Sequence, residues 1–337
     1  MMMGNSESAD QMPSANIDRF KPLAFFQRYG REIGLPVIVV ALIVLFTANS
    51  EVFFSVANFR NIGVSAAALA AVSFGQTFAI LTAGLDLSVG SIVALVSIVG
   101  AIVMRDHGIP AGLIASLVTG AGVGLLNGIV ITRFKVFPFI ATLAMMSIVS
   151  GLALSLSGGV AVTGVPGAFA DLAYELVLGV PVPVIIALLV LLTAFVVLKY
   201  TRLGRRIYAV GGNAEAARLS GIRIGAIKTV AYVFSGICAA VGSIILTARV
   251  ASGQPSLGTT LPLESVAAVV LGGISLFGGR GSVVGVAFGV LFVSILSNGL
   301  NLLNVPSYTQ MMVIGGALIL AVALDQAFIE SRMGKKG

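Results

Sequence analysis

Apolar stretches close to the length of a bilayer crossing recur ten times along this chain. About 20 helical residues cross the hydrocarbon core of a membrane, and a helix satisfies its own backbone hydrogen bonds there. Only 10% of the residues are charged, whereas a water-soluble domain has about 25%. The sequence therefore predicts an all-α polytopic membrane protein embedded in a lipid bilayer. The predicted spans are Leu35–Thr47, Val64–Ala83, Val89–Met104, Ala111–Ile131, Phe139–Leu156, Val184–Leu198, Thr229–Ala248, Leu263–Phe277, Val283–Leu303 and Tyr308–Phe328.

Three boundaries stay open at this stage. The first span can be extended through Phe53–Val56. The eighth, Leu263–Phe277, is short and ends in glycine, so a half-span is an alternative to a full crossing. The segment 160–182 contains Gly, Pro and two acids, and either stays outside the membrane or dips back into it.

The positions of Lys and Arg predict the orientation of the chain, because cytoplasmic loops carry an excess of both. With the N-terminus inside and one crossing per span, seventeen of these residues lie inside and three, Arg60, Arg105 and Arg249, lie outside. An even number of spans with both termini in the cytoplasm is therefore predicted. The chain divides into a cytoplasmic polar tail (1–31), a permease domain (32–330) and a cytoplasmic basic tail (331–337).

Several functional classes are disfavoured. The formal charge of +7 lies between apolar segments and in the tails, which argues against binding of nucleic acid. The one histidine, His107, lies in the predicted outside loop RDHG, where a solvated loop residue is the expected interpretation. A phosphate-binding loop of the G-x-x-x-x-G-K-[ST] type is absent, so the chain is not predicted to hydrolyse ATP. The lone Cys238 lies in an apolar run and reads as a buried small side chain.

A possible internal repeat relates two glycine-containing breaks. The stretch AGLDLSVGSIV (Ala83–Val93) resembles GGISLFGGRGSVV (Gly272–Val284) once a short insertion is allowed. Internal repeats that meet near the membrane centre are common in transporters. Shared glycine content explains the similarity about as well as duplication does.

A set of polar residues in or beside the apolar spans could line a translocation path or gate. Asp86 has the most apolar surroundings of any acid, and it either caps the helix that begins near Val89, acts in gating or substrate binding, or relays protons. The amides on one face of the ninth span could line a path for a polyhydroxylated solute or bond neighbouring helices. The candidate residues are Gln76, Asp86, Ser88, Asn127, Asn298, Asn301 and Asn304.

The polar segment 199–228 holds seven of the twenty Lys and Arg residues. In it, Gly211-Gly212 can break the chain, Asn213 can cap a short helix over Ala214–Ser220, and Gly221 can end it. Glu215 precedes Arg218 by three residues, a spacing that favours an ion pair. A helix of about two turns is unstable alone in water. The segment is therefore either the docking surface for a partner protein or an ordinary basic loop.

These motifs resemble the permease subunits of bacterial ABC importers of the ribose/monosaccharide type. The stretches that carry the resemblance are Leu81–Leu95, Gly211–Ile224, Ala268–Gly285 and Ser297–Gly315. The resemblance implies an inner-membrane permease, not an enzyme, which pairs with a second copy or a close paralogue. It implies two further partners, a cytoplasmic ATPase that binds ATP and magnesium and a periplasmic protein that delivers a monosaccharide, with no cofactor on this chain. The implied ATPase-coupling positions are Gly212, Asn213, Glu215, Ala216, Ala217, Arg218 and Gly221.

Alternatives remain at this stage. Related ABC permeases carry amino acids, nucleosides or furanosyl signals, and the sequence does not separate these from a sugar. An ion-coupled secondary transporter would need intramembrane ionisable groups, of which Asp86 is the one strong example in the sequence. A membrane scaffold or receptor without transport is the third alternative.

Overall fold

The computed structural model describes residues 22–333, with side chains described for 34–320, 322 and 323. Within this range it contains thirteen α-helices and one two-stranded antiparallel hairpin. The helices are α1 Pro22–Asn49, α2 Val56–Leu81, α3 Val89–His107, α4 Ile109–Arg133, α5 Pro138–Ser157, α6 Gly167–Asp171, α7 Val182–Tyr200, α8 Arg202–Gly212, α9 Ala214–Leu219, α10 Ile224–Val250, α11 Leu261–Leu271, α12 Val283–Leu302 and α13 Ser307–Met333. The hairpin strands are β1 Leu176–Val177 and β2 Val180–Pro181, between α6 and α7.

Each predicted span overlaps one helix of this set. Seven of the described helices, α2, α3, α4, α5, α7, α10 and α12, are long and apolar enough to cross a membrane. The apolar parts of α1, α11 and α13 are shorter. The predicted tails are partly helical, since 22–31 belongs to α1 and 331–333 to α13, whereas 1–21 and 334–337 lie outside the described residues.

The extension of the first span was wrong. α1 ends at Asn49, and the residues that follow form a turn before α2 begins at Val56. The Ser55 hydroxyl accepts a hydrogen bond from the Asn58 N–H at 3.2 Å, so Ser55 is an N-cap that starts a new helix. The capping residue therefore separates the two helices.

Close backbone packing around α10 holds the bundle together. A Cβ added to Gly236 of α10 would lie 2.1 Å from the Gly120 carbonyl oxygen of α4, and one on Gly75 of α2 would lie 2.5 Å from Cys238 Cβ. Such contacts are available to glycine alone, and small residues are the usual means by which membrane helices approach one another. By contrast, only 22% of the apolar membrane-crossing stretch of α7 is buried, so α7 lies at the periphery of the bundle.

Hydrogen bonds between α3 and α10 fix their relative heights. The Ser243 hydroxyl donates to the Val93 carbonyl at 2.7 Å, and the Thr247 hydroxyl donates to Ser97 Oγ at 2.7 Å. The two helices therefore run side by side in the same direction, with a constant offset. Extrapolated back to Val89, this offset places the start of α3 beside the middle of α10, which is about 40 Å long.

The segment between α10 and α11 is not helical and runs alongside α3 in the opposite direction. Built Cβ atoms on Gly253 and Gly258 would lie 2.8 Å from Ala101 Cβ and 2.7 Å from Val93 Cγ1, and one on Gly90 would lie 2.9 Å from Pro262 Cδ. α11 thus begins at the same depth as α3 and runs in the opposite direction. With eleven residues it is about 16 Å long, half of a bilayer crossing, as the half-span alternative predicted. Its bounds, Leu261–Leu271, replace Leu263–Phe277.

The segment 158–181 covers the end of the bundle at which α3 and α10 stop, which we call the hairpin end. Val162 pairs with Gly253 in an isolated bridge, and the Tyr174 hydroxyl donates to the Arg249 carbonyl at 3.1 Å. Phe169 of α6 is buried in a cluster with Met104 and Ala248. This segment therefore packs across the helix ends rather than entering between the helices.

The structure suggests a second register for the proposed internal repeat. The stretches Ala83–Val93 and Gly272–Val284 do both span a helix break, and they touch, because a Cβ on Gly278 would lie 2.7 Å from Ala83 N. The stretches at the start of α3 and α11 also match, with identical residues at the pairs Leu87 and Leu261, Ser91 and Ser265, Ala94 and Ala268, and Val96 and Val270. Both serine hydroxyls donate to the carbonyl three residues earlier, at 2.8 and 3.2 Å. This register relates two helices that run in opposite directions from the middle of the bundle.

Candidate functional site

The short helix predicted in the polar segment is present. Asn213 has an extended backbone, and its side-chain oxygen accepts a hydrogen bond from the Ala216 N–H at 2.9 Å. After the C-terminal turn, Gly221 adopts φ +79°, a conformation that few residues other than glycine take without strain. The Ile222 N–H then returns to the Ala217 carbonyl at 3.0 Å. Both ends of α9 are thus closed by local interactions, as the sequence indicated.

Most of α9 faces outwards at the end opposite the hairpin, which we call the α9 end. The side chains of Asn213, Glu215, Ala216 and Arg218 are exposed, and Leu219 is 74% exposed. Ala217 alone in α9 is buried, so it attaches the helix to the bundle. Gly212 and Gly221 are also exposed. The predicted coupling positions therefore form one outward surface, with Ala217 as its attachment.

An ion pair joins Glu215 and Arg218 across one turn of α9. Arg218 Nε donates to Glu215 Oε2 at 3.0 Å, and a second bond links the same two groups. The hydrogen bond from Arg218 lowers the pKa of Glu215 below its ordinary value. Because both side chains are exposed, water screens the pair and its contribution to stability is small. The pair mainly fixes the orientation of the two charged groups on the exposed surface of α9.

The helix α8, which leads into α9, was not predicted. Thr201 caps it by accepting from the Gly204 N–H at 3.2 Å, and Ile207 and Val210 are buried. The spacing of Leu203, Ile207 and Val210 at i, i+4 and i+7 is the signal that could have revealed it. The helix continues through Gly212, so the break comes at Asn213 and not at the Gly211-Gly212 pair.

Gly211 places the end of α8 against two other parts of the bundle. A Cβ there would lie 1.8 Å from the Leu81 carbonyl oxygen at the end of α2 and 2.6 Å from Gly279 N. The Gly279 N–H itself donates to the Leu81 carbonyl at 3.0 Å. Nearby, the Tyr208 hydroxyl donates to the Gly281 carbonyl at 3.0 Å, and burial raises the pKa of Tyr208. α8 therefore contacts both the end of α2 and the loop between α11 and α12.

Asp86 lies at the centre of a buried hydrogen-bond cluster beside the start of α3. Its carboxylate accepts from the hydroxyls of Ser88 at 2.6 Å and Ser235 at 2.8 Å, and from the Asn127 amide at 3.4 Å. Asn127 also donates to Ser88 Oγ at 2.7 Å. All four residues are buried, and they connect the α2–α3 loop to α4 and α10. Ser235 belongs to this cluster but was not among the predicted residues, since a serine within an apolar helix gives no distinguishing signal.

Asp86 does not cap α3, because the N-cap position is Ser88, two residues later. Its carboxylate accepts from the Ser88 N–H at 3.1 Å, and Ser88 precedes the first residue of α3. The bond therefore closes the turn before the helix and leaves the free N–H groups of its first turn to other partners. A gating or proton-relay role for Asp86 stays a prediction.

Three buried polar side chains near this depth keep atoms without a hydrogen-bond partner among the described residues. They are Ser73 and Gln76 on α2, and the Asn127 Oδ1 atom. Buried polar groups normally have partners, so ordered water is the ordinary means of satisfying them. Gln76 is fully buried, and its role in a path stays a prediction.

The amides of α12 bond to neighbouring helices, as the alternative interpretation proposed. Asn298 and Asn58 of α2 exchange two hydrogen bonds of 3.0 and 2.9 Å. Asn301 Oδ1 accepts from Gln310 of α13 at 2.8 Å. Asn304 follows the end of α12 with φ +56°. Asn58 lies near the start of α2, about 35 Å from Leu81 at its end. The Asp86 cluster follows Leu81 in the chain, so the structure does not bring these amides together with that cluster.

Comparison with known proteins places these features in context. Residues 58–322 match the family described as branched-chain amino acid transport system, permease component. The ribose import permease protein of Escherichia coli K12 is 42% identical over 292 residues, which cover 85% of this chain and 91% of the relative. That of Bacillus subtilis is 40% identical over 303 residues, covering 89% and 93%. The D-allose transport system permease protein of Escherichia coli K12 is 35% identical over 323 residues, covering 95% and 96%. No solved structure matches the chain.

Proposed function

This chain belongs to the family of branched-chain amino acid transport system permease components, and on that premise we propose that it is the membrane-spanning subunit of an ATP-driven importer for a monosaccharide. The observation that carries the proposal is the similarity, over 85% or more of the chain, to permeases named for ribose and allose. The chain is a transport permease rather than an enzyme, and its membrane is the bacterial inner membrane. A ribose-like sugar is the substrate that these relatives favour.

The proposed topology has ten crossings, with both termini in the cytoplasm. The seven long apolar helices supply seven of them, and α1 and α13 supply two more. The remaining crossing combines the irregular segment 251–260 with α11, an arrangement that lipid permits only where the irregular backbone is packed against protein. In this topology the α9 end faces the cytoplasm, in agreement with the distribution of Lys and Arg.

The proposed partners follow from the importer class. A second copy of this chain or a close paralogue completes the permease, a periplasmic binding protein delivers the sugar, and a cytoplasmic ATPase supplies the energy. ATP and magnesium bind to that ATPase, and this chain carries no cofactor. The permease then alternates between two states that nucleotide binding in the partner distinguishes.

We further propose that α9 is the element that docks to the ATPase. Its outward surface supports this role, because the exposed positions Asn213, Glu215 and Arg218 are free to contact a partner. Ala217 has a different role from the other coupling positions, since it is buried and holds α9 to the bundle. Gly211, which contacts Leu81, provides a route from α8 and α9 to the end of α2.

Reconstitution tests the proposed function. The permease, its ATPase and its binding protein are assembled in liposomes, and uptake of radiolabelled D-ribose is measured with ATP inside. We expect uptake that requires ATP and the binding protein and that survives a protonophore. Uptake that collapses with the protonophore at constant ATP would identify a secondary transporter. D-allose and L-arabinose, tested in parallel, define the sugar.

A charge exchange tests the docking role of α9. We expect Glu215→Lys combined with Arg218→Glu to abolish sugar-stimulated ATPase activity, because the pair stays intact but presents reversed charges. The matched control is Arg105→Asp with Asp106→Arg, which reverses an exposed ion pair near the hairpin end. The control complex keeps its stimulated activity. Equal activity in both complexes would show that α9 does not dock to the ATPase.

A further inference from the structure

Three polar side chains lie on an exposed face at the middle depth of the bundle. Thr259 and Thr260 are exposed and Glu264 is partly buried, all at the start of α11. Because Pro262 packs beside Gly90, and the start of α3 is level with the middle of α10, this group lies about 20 Å from each end of α10. A carboxylate at that depth is exceptional in a membrane protein and generally serves a function.

A cleft opens beside these side chains, between α11 and α13. Its volume is about 100 Å³, and its lining includes Thr259, Thr260, Glu264 and Met311. Gly315 of α13 also lines it, and a Cβ added there would meet nothing within 4 Å. The absence of a side chain at Gly315 thus contributes to the open space in front of the carboxylate.

The chemistry of this cleft suits a sugar better than lipid. Acyl chains offer no partner to a carboxylate or to two exposed hydroxyl groups, so direct contact with lipid would leave hydrogen-bonding capacity on these side chains unsatisfied. Carboxylates and hydroxyls are the groups that bind the hydroxyls of a polyhydroxylated solute, whereas the apolar Leu263 and Met311 side chains can contact its C–H groups. No Lys, Arg or His side chain is among the described lining residues, which disfavours an anionic ligand.

We propose that Thr259, Thr260 and Glu264 form this chain's share of the sugar-binding surface within the translocation path. The inference rests on the proposed function, because it names the site at which the imported monosaccharide contacts the permease. The proposal requires that a second permease copy face this surface across a water-containing path. The Asp86 cluster is not this surface, since its carboxylate is fully buried and already accepts hydrogen bonds from Ser88 and Ser235.

Removal of the charge is the first test, in the reconstituted complex with D-ribose as the probe. We expect Glu264→Gln to lower the maximal uptake rate about tenfold, the effect of one lost hydrogen bond to a charged group. The half-saturating ribose concentration stays the same, because the binding protein sets it. Glu51→Gln, at an exposed acid between α1 and α2, is the control and keeps the wild-type rate. A Glu264→Gln complex with wild-type uptake would overturn the proposal.

Filling the cleft is the second test, and the chain supplies a matched control. Gly315 lines the cleft, whereas its neighbour Gly316 does not, and neither has atoms within 4 Å of an added Cβ. We expect Gly315→Leu to block ribose uptake and Gly316→Leu to preserve it. Both variants should insert and bind the ATPase normally. Equal uptake by the two variants would contradict a sugar site in the cleft.

Chemical accessibility is the third test. In a Cys238→Ala background, Thr259→Cys should react with a charged, water-soluble thiol reagent, and ribose with the binding protein should slow that reaction. Absence of reaction would mean that the face contacts lipid, and disulfide formation between two copies without reagent access would mean a dry dimer contact. Either result overturns this inference. It leaves the proposed function standing as long as the unmodified complex imports ribose, and failure of that import would instead refute the function itself.

Discussion

Asp86 and Glu264 are two acids at similar depth in the bundle, but their surroundings differ. Asp86 is fully buried and is bonded to Ser88, Ser235 and Asn127, which belong to three separate parts of the fold. Glu264 is partly exposed in a cleft, which it lines together with Thr259 and Thr260. The number of hydrogen-bond partners within the protein therefore distinguishes Asp86, which holds parts of the fold together, from Glu264, which is available to a ligand. Depth in the membrane alone does not make that distinction.

The largest expected difference between the two acids is in stability. We expect Asp86→Leu to lower the free energy of unfolding by about 3 kcal/mol or more, because buried donors on Ser235 and Asn127 lose their acceptor. Glu264→Leu should lower it by about 1 kcal/mol or less, the ordinary range for a substitution without buried partners. Chemical unfolding of the purified permease in detergent, followed by circular dichroism, measures both. Similar losses in the two variants would remove the distinction.

An intermediate effect is expected at Ser235. Ser235→Ala removes one hydrogen bond of 2.8 Å to the Asp86 carboxylate and should lower the free energy of unfolding by about 2 kcal/mol. The same unfolding experiment measures it. Ser155→Ala on α5, at an exposed serine, is the control and should change the value by less than about 0.5 kcal/mol. A Ser235→Ala variant as stable as the control would show that Asp86 does not depend on this contact.

The smallest effect is expected at Thr260. Thr260→Val keeps the shape of the side chain but removes the hydroxyl beside Glu264, and should change the free energy of unfolding by less than about 0.5 kcal/mol. Uptake of ribose should nevertheless fall. Thr193→Val, on the peripheral helix α7, should change neither quantity. A loss of stability at Thr260 as large as that at Ser235 would assign the cleft a structural role.

How well this fold could be predicted depended on how far apart along the chain the interacting residues lie. The spans and the capped helix at Asn213–Gly221 could be predicted, because hydropathy and capping are local properties of the chain. α8 was missed, since its apolar residues are few and Gly211 becomes informative only when Leu81 lies beside it. The role of Gly221 was accessible because a single residue determines that turn.

The candidate path was predicted less well for the same reason. Asp86, Ser88 and Asn127 lie together, but Ser235 was absent from the predicted set because its partner is 149 positions away. Asn298 pairs with Asn58 across 240 positions, a contact that periodicity on one helix cannot reveal. The polar group at Thr259 and Glu264 was passed over, since its depth follows from the descent of 251–260 along α3.

The contact between Gly211 and Leu81 has a mechanical consequence. A side chain at an interface can absorb a small displacement by changing rotamer, whereas two touching main chains have no such adjustable element. A shift of α8 would therefore be passed to the end of α2 with little slack, and a bulky residue at position 211 would hold the two permanently apart. The contact between α8 and α2 is therefore rigid. It is possible because the side chain of glycine is a single hydrogen atom, which lets the two main chains touch.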